Sequence, residues 1–179
     1  MTRVMQFTIA IGLATAITGV AATLTAEQSA QVVQVRDDCD PATFNAGPPD
    51  GPGIGHICDG DGGTTFGDFI AELRATRQAE EWRFNPDRMS EPRNIVAHNR
   101  GGEAHSFTKV AKFGGGQVPG LNALSGNPVL APECFLPGVG ATFMGPGKDV
   151  KVDGVAGGDK YQCCIHPWMR TTVRARSGR

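Results

Sequence analysis

Residues 161–170 read "YQCCIHPWMR", and this stretch decides how the rest of the chain is read. Cys163 and Cys164 stand side by side, His166 follows the first of them at the third position, and Met169 follows the histidine at the same interval. A strand that ends at the cysteine and turns into a tight loop can bring a thiolate, an imidazole and a thioether to one point. Pro167 favours such a loop, because proline fixes its own φ and removes a backbone donor. These donors together suit copper. A trigonal set of two histidines and one cysteine with a weak axial methionine is a recognised copper geometry, and it demands a second histidine. One metal can hardly use both adjacent sulfurs if they lie on a strand, since successive side chains there point to opposite faces.

Only His56, His98 and His105 remain to supply that second imidazole. His105 sits in "NRGGEAHSFT" (99–108), after a Gly-Gly turn and at the start of a strand, where a loop can present a ring at the end of a sandwich. His98 falls inside the preceding strand and reads as a surface or packed residue. His56 lies in a Gly-rich acidic stretch and reads as solvent-exposed. A bland reading stands beside the metal site: a buried Cys next to a satisfied His, with Met169 as core filler. Zinc fits less well, because structural zinc sites favour several thiolates or imidazoles over a thioether.

Outward from this motif, the chain after Trp82 alternates with period two in "NIVAHN", "HSFTKV", "KDVKVDGV", "KYQCCI" and "RTTVRAR", and Gly, Pro and Asn separate the runs. Short strands broken by turns indicate an antiparallel sandwich. A long Gly/Pro-rich segment, 113–147, reads as a loop of functional length. Before Trp82, "QVVQVR" (31–36) reads as a strand and residues 65–81 as a helix. In that helix Thr65 and Asp68 form a capping box, and Phe66, Phe69, Ile70 and Leu73 share one face. The preceding "DGDGG" (59–63) resembles a calcium loop, with Glu72 at the twelfth position from Asp61. Phe66 stands where that loop needs glycine, so the stretch reads as a turn into the helix.

The amino terminus reads as a secretory signal over residues 1–26: Arg3 is its one charge, and "FTIAIGLATAITGVAATLTA" (7–26) is apolar, with cleavage after Ala22 or a few residues later. A retained membrane anchor is the other reading. Export bears on the five cysteines, because structural cysteines pair outside the cytosol and an odd count leaves one thiol needing a purpose. One metal thiolate plus two disulfides accounts for all five. Residues 37–63 are too poor in apolar side chains to order themselves, so a Cys39–Cys58 bridge would staple them, contributing about 3 kcal/mol by loop closure. Charge is uneven along the chain: residues 27–92 carry 13 acidic and 5 basic groups, residues 93–179 carry 5 and 11. A basic face on the second part could steer an acidic partner, or the charges could be an ordinary solvated surface. Nothing in the pattern marks a nucleic-acid footprint.

"NRGGEAHSFT" together with "GPGKDVKVDGVAGGDKYQCCIHPWM" (145–169) resembles a cupredoxin of the plastocyanin and amicyanin type, from about Trp82 to the carboxyl terminus. The resemblance implies an all-β Greek-key sandwich or barrel over 82–179, carrying a single type 1 copper ion on His105, Cys163, His166 and Met169. It also implies that Ser106, at a position often occupied by Asn in the family, steadies the two ligand loops. Trp168 would belong to an apolar rim around the His166 edge, which would serve as the electron port. Two features depart from the family: the acidic region 27–81 with its helix, and the 57 residues between His105 and Cys163. Cys163 has the family spacing, which leaves Cys164 to pair with Cys134 and Cys39 with Cys58.

The function expected from that resemblance is an exported, monomeric, one-electron carrier. It would dock transiently on redox-partner proteins, with no enzyme activity, no small-molecule substrate and no nucleic acid. The competing reading is a periplasmic copper-binding or copper-delivery protein, against which the absence of any Met-rich tract counts. A non-redox interaction domain is a third.

Overall fold

The computed structural model describes residues 30–90 and 92–175. The expected signal, 1–26, and the last residue of "RTTVRAR" lie outside the described residues. Two four-stranded sheets dominate. The first runs in the order β2 (Arg83–Asn85), β1 (Gln31–Arg36), β4 (Ile95–Asn99), β8 (Asp149–Val152). The second runs β3 (Arg88–Ser90), β10 (Arg170–Arg174), β9 (Lys160–Gln162), β6 (Thr108–Val110). A two-stranded ladder joins β5 (His105–Ser106) to β7 (Phe143–Met144).

Alternation explains the main strands. In β1, Val33 and Val35 are buried while Arg36 is exposed, and in β4 the buried positions are Ile95, Ala97 and Asn99. These side chains meet Met89, Tyr161 and Val173 of the second sheet in one core. Phe107, between β5 and β6, closes that core: it stacks on Tyr161 at 4.6 Å and lies 5.2 Å from Phe84. Each such ring pair adds about 0.5–1.5 kcal/mol beyond the area it buries.

The expectation of an antiparallel sandwich needs correction. β1 pairs parallel with β4, and β3 pairs parallel with β10. Both parallel partners are reached by long connections, β1 to β4 through the whole helical region and β3 to β10 through most of the second half. That distance allows the same-direction pairing a short hairpin forbids. β1 also sits between β2 and β4, so the amino-terminal region is woven into the first sheet.

Three short α-helices accompany the sheets: α1 (Pro41–Phe44), α2 (Phe66–Thr76) and α3 (Pro119–Leu124). α2 starts as read, with Thr65 Oγ1 accepting from the Asp68 N–H at 3.1 Å. It stops at Thr76, short of residue 81, because Arg77 takes a left-handed conformation (φ 66°) and donates its N–H back to the Leu73 carbonyl. Segment 113–147 is not an unstructured loop. It holds α3, 3-10 turns at Pro132–Phe135 and Val139–Thr142, and β7.

The acidic stretch 37–63 is ordered by polar bonds as well as by a disulfide between Cys39 and Cys58. Asn45 accepts from the N–H groups of Ile57 and Cys58 and donates to the Cys58 carbonyl. Asp38 accepts from Gly63, Thr64 and the Thr64 hydroxyl. These bonds supply what the missing apolar side chains do not. Among the described residues, no helix is long and apolar enough to cross a membrane.

Candidate metal centre

The site forms where β4, β5 and the loop after β9 come together. Asn99, fully buried at the end of β4, holds the turn that follows: its Nδ2 donates to the Glu103 and Met144 carbonyls, and its Oδ1 accepts from Gly101 N–H. The two glycines of that turn are required by close approach. A Cβ on Gly101 would strike the Asp37 side chain, and one on Gly102 would strike the Gly60 backbone and Cys39 Sγ. The turn delivers His105 into β5, opposite Met144.

β9 ends at Gln162, and the next residues form a closed loop. Cys163 N–H donates to the Met169 carbonyl and Met169 N–H donates to the His166 carbonyl, both at 3.0 Å. Within this frame His105 Nδ1 lies 3.8 Å from Cys163 Sγ, His166 Nδ1 lies 3.9 Å from the same sulfur, and the two ring nitrogens are 3.3 Å apart. A point equidistant from these three atoms (edges 3.8, 3.9 and 3.3 Å) lies about 2.1 Å from each, the length of a metal–nitrogen bond and slightly short of a metal–sulfur bond. All three residues are buried, and they form a group of the kind that can hold a metal ion. Met169 is buried in the same core as Cys163.

Electrostatics agree with that use. Burial alone would push the Cys163 thiol up, but the neighbouring His105 and His166 rings outweigh it and hold the group well below its ordinary value. The sulfur also accepts from the backbone N–H groups of Ser106 and Ile165, each at 3.4 Å. Burial would likewise depress His105, yet its hydrogen bond to Asp37 and its contact with Cys163 carry it up to about 10. Both shifts run in the direction that favours a deprotonated sulfur facing a protonated His105 ring when no metal is bound.

Ser106 Oγ accepts from Cys164 N–H at 2.7 Å and so links the His105 strand to the cysteine loop. Cys163 and Cys164 part company here. The first joins the main core, while the second joins a smaller cluster with Val110, Ala131 and Cys134 and forms a disulfide with Cys134. Cys163 is the one free cysteine among the described residues. His56 and His98 do not join this group, and their ring nitrogens face the carboxylates of Asp59 and Asp149.

One expectation is overturned. The His166 edge is not an open port, because the residue is only 2 % exposed. Phe69 of α2 meets its ring edge-on at 6.4 Å, half-buried Trp168 lies at 5.4 Å, and Glu103 Oε2 is 3.6 Å from its Nε2. A cavity of about 600 Å³ beside it is walled mainly by apolar side chains, among them Phe66, Ile70, Leu121, Leu124 and Ile165.

Sequence reasoning missed two carboxylates. Asp37, just after β1, has its Oδ2 2.7 Å from His105 Nε2, with both side chains fully buried. Burial raises Asp37, but the His105 hydrogen bond and charge and the backbone donors bring it down to about 2. Glu103 accepts from Trp82 Nε1–H beside His166, and burial raises its carboxyl against the pull of His166. No local signal marks Asp37, since it reaches His105 only through the parallel pairing of β1 with β4. Glu103, two residues before His105 and in an otherwise small-residue turn, could have been suspected.

No protein-family model, curated protein or solved structure matches the chain. What the molecule itself presents is a buried His/Cys/His group near the carboxyl-terminal strands of a mostly β protein with two disulfides.

Proposed function

We propose that this chain is an exported blue-copper protein of the cupredoxin kind that carries single electrons and is not an enzyme. The observation that carries the reading is the convergence of His105 Nδ1, Cys163 Sγ and His166 Nδ1 at metal-binding separations inside a dry core. Met169, buried in the same core, would add a weak thioether donor, and such a set favours copper over zinc. Bound copper would supply a one-electron Cu(I)/Cu(II) couple. The protein's part is to keep the ligand atoms in one arrangement for both oxidation states. The bonds that close the Cys163–Met169 loop and the Ser106–Cys164 link hold them without help from the metal. With Met169 as a fourth donor, all the ligands of a bound ion would come from the protein, which favours a carrier over an oxidase.

With His166 covered, the half-buried Trp168 is the surface group closest in kind to an electron port, its Nε1–H fixed on the Ala79 carbonyl at 3.2 Å. Transient redox-partner proteins would dock there, on a monomer. The two disulfides accord with an oxidising compartment, periplasmic or extracellular.

Copper loading followed by optical and EPR spectroscopy and voltammetry tests the reading. An intense blue Cu(II) state with a reversible one-electron couple is expected, lost in Cys163→Ala. A colourless Cu(II) complex that hands Cu(I) quickly to an acceptor would replace the carrier with a delivery protein, and failure to bind copper would end both readings.

A further inference from the structure

We propose that Asp37 is a positioning residue for the metal centre: its carboxylate locks the His105 ring with Nδ1 turned toward Cys163 and His166, and its charge biases a bound redox metal toward the higher oxidation state. The positioning half needs only that the site binds a metal; the redox half rests on the copper reading above.

The argument begins with the ring. A neutral imidazole that offers Nδ1 to a metal carries its proton on Nε2, and that N–H must find an acceptor when buried. His105 is fully buried, and Asp37 Oδ2 stands 2.7 Å from its Nε2. The carboxylate does not depend on the histidine for its own place. Its Oδ1 accepts from Gly102 N–H at 2.9 Å and Cys39 N–H at 3.3 Å, and Oδ2 accepts from Glu103 N–H at 3.1 Å. Three backbone donors therefore hold it from behind, and the Cys39–Cys58 disulfide ties down the segment that carries it. Gly101 leaves room for this approach, which a side chain at that position would block.

Partners of this type fix the tautomer and raise the basicity of a ligand imidazole, and their loss commonly costs 10–100-fold in metal affinity. A buried negative charge behind the ring also stabilises the more positive metal state, since attraction between charges is strong where water is absent. The other ligand ring offers an internal comparison. Glu103 Oε2 is 3.6 Å from His166 Nε2, beyond a good hydrogen bond, and the same oxygen already accepts from Trp82 Nε1–H. Its influence on His166 should be the weaker of the two.

The test compares wild type, Asp37→Asn and Glu103→Gln, each loaded with Co(II) for affinity and with copper for potential. Asp37→Asn should bind Co(II) 10–100-fold more weakly. Its Cu(II)-to-Cu(I) affinity ratio should fall at least tenfold, a rise in potential of about 59 mV, with a smaller rise for Glu103→Gln. A residue that merely anchors the strand would lower stability and loading and leave the potential of the loaded fraction where it was. An unchanged Co(II) affinity, or a loaded Asp37→Asn whose potential matches wild type, overturns the corresponding half. Should Asp37→Asn not fold, NMR of Zn(II)-loaded wild type decides the positioning half. A slowly exchanging proton on His105 Nε2 is expected, and metal on Nε2 or a freely exchanging proton there overturns it. A wild type that takes Co(II) but shows no reversible copper couple sinks the carrier reading and the redox half, and leaves the Co(II) comparison to judge Asp37.

Discussion

Phe69→Ala should both loosen the fold and uncover the metal centre, because one ring does both jobs. Phe69 is buried on α2 and packs against Trp82 at 4.5 Å, Phe44 at 5.5 Å, Trp168 at 6.0 Å and His166 at 6.4 Å between ring centroids. Removing a buried phenylalanine costs about 3–5 kcal/mol through lost transfer energy and the cavity left behind. The upper half of that range is expected here, since Trp82, Phe44 and Trp168 are themselves pinned by other contacts and cannot all collapse inward. A loss of that size is a large share of the roughly 5–15 kcal/mol that holds a typical domain together. Urea unfolding should show a lower midpoint with little change in slope, the mark of altered stability alone. Phe69→Leu, which keeps most of the volume, should cost roughly 1–2 kcal/mol. The second readout is access. In metal-loaded protein, transfer of the ion to an external chelator should run faster in Phe69→Ala than in Phe69→Leu and slowest in wild type, measured below the unfolding range of all three. A cost under about 1 kcal/mol, or equal transfer rates in the three proteins, would refute the claim that α2 is packed as a cover on His166.

Removing the Cys134–Cys164 bridge by a double substitution to alanine should cost about 3–4 kcal/mol from its separation of 30 residues, read as a shift in thermal or urea midpoint. A loss below 1 kcal/mol would mean that the segment is held by other contacts. Stability of the metal-free protein should fall at both extremes of pH. Asp37, held at about 2 against an ordinary 3.8, contributes fully above about pH 4 and loses its contribution as pH falls toward 2. His105, raised from 6.5 to about 10, contributes fully below about pH 6.5 and loses its contribution as pH rises through 10. The lowered Cys163 thiol works the other way and gains its contribution as pH rises toward its ordinary 9.0, so the two offset each other up to about pH 9 and the decline falls above it. Metal on Nδ1 removes that proton, so the alkaline decline should vanish in loaded protein, and a chemical-denaturation series across pH with and without Co(II) checks both limbs.

What could be read from the chain divides by range. Cys163, His166 and Met169 lie within one tight loop, so their spacing announces them, and a histidine after a Gly-Gly turn is a local feature too. Thr65 and the apolar face of α2 are equally local. The end of that helix was misplaced because Arg77, not a glycine, takes the left-handed position, and residue type gave no warning. The structured pieces of 113–147 did carry a signal: Pro119 and Pro132 each stand at the first turn of a short helix, where a missing N–H costs nothing. The parallel pairings could not be read, since a strand's pattern states which face is buried and not which partner it lies beside. The same limit hid Asp37 and the cover over His166.

Those hidden features share an origin in the first part of the chain. The candidate metal-binding group His105, Cys163 and His166, with Met169 of the same loop, comes from the second part, and by motif alone 27–81 looks like an appendage to it. In the fold that region supplies β1 between β2 and β4, the carboxylate behind His105, and the aromatic cover over His166. Without it, β4 would present a bare edge, a template for pairing with other chains. The site would also lose the buried partner of its His105 N–H. Part of the acidic character of the region follows from these tasks. Asp37, Asp38 and Asp40 each accept from backbone N–H groups of the turns they order, whereas Asp50, Asp59, Asp61, Asp68, Glu80 and Glu81 stay exposed. If electrons pass to a partner, the path must avoid the covered His166 edge. On the carrier reading, Trp168, which lies 5.4 Å from the His166 ring and lines a surface groove with Arg83, Arg88 and Arg170, would be the side chain placed to carry them.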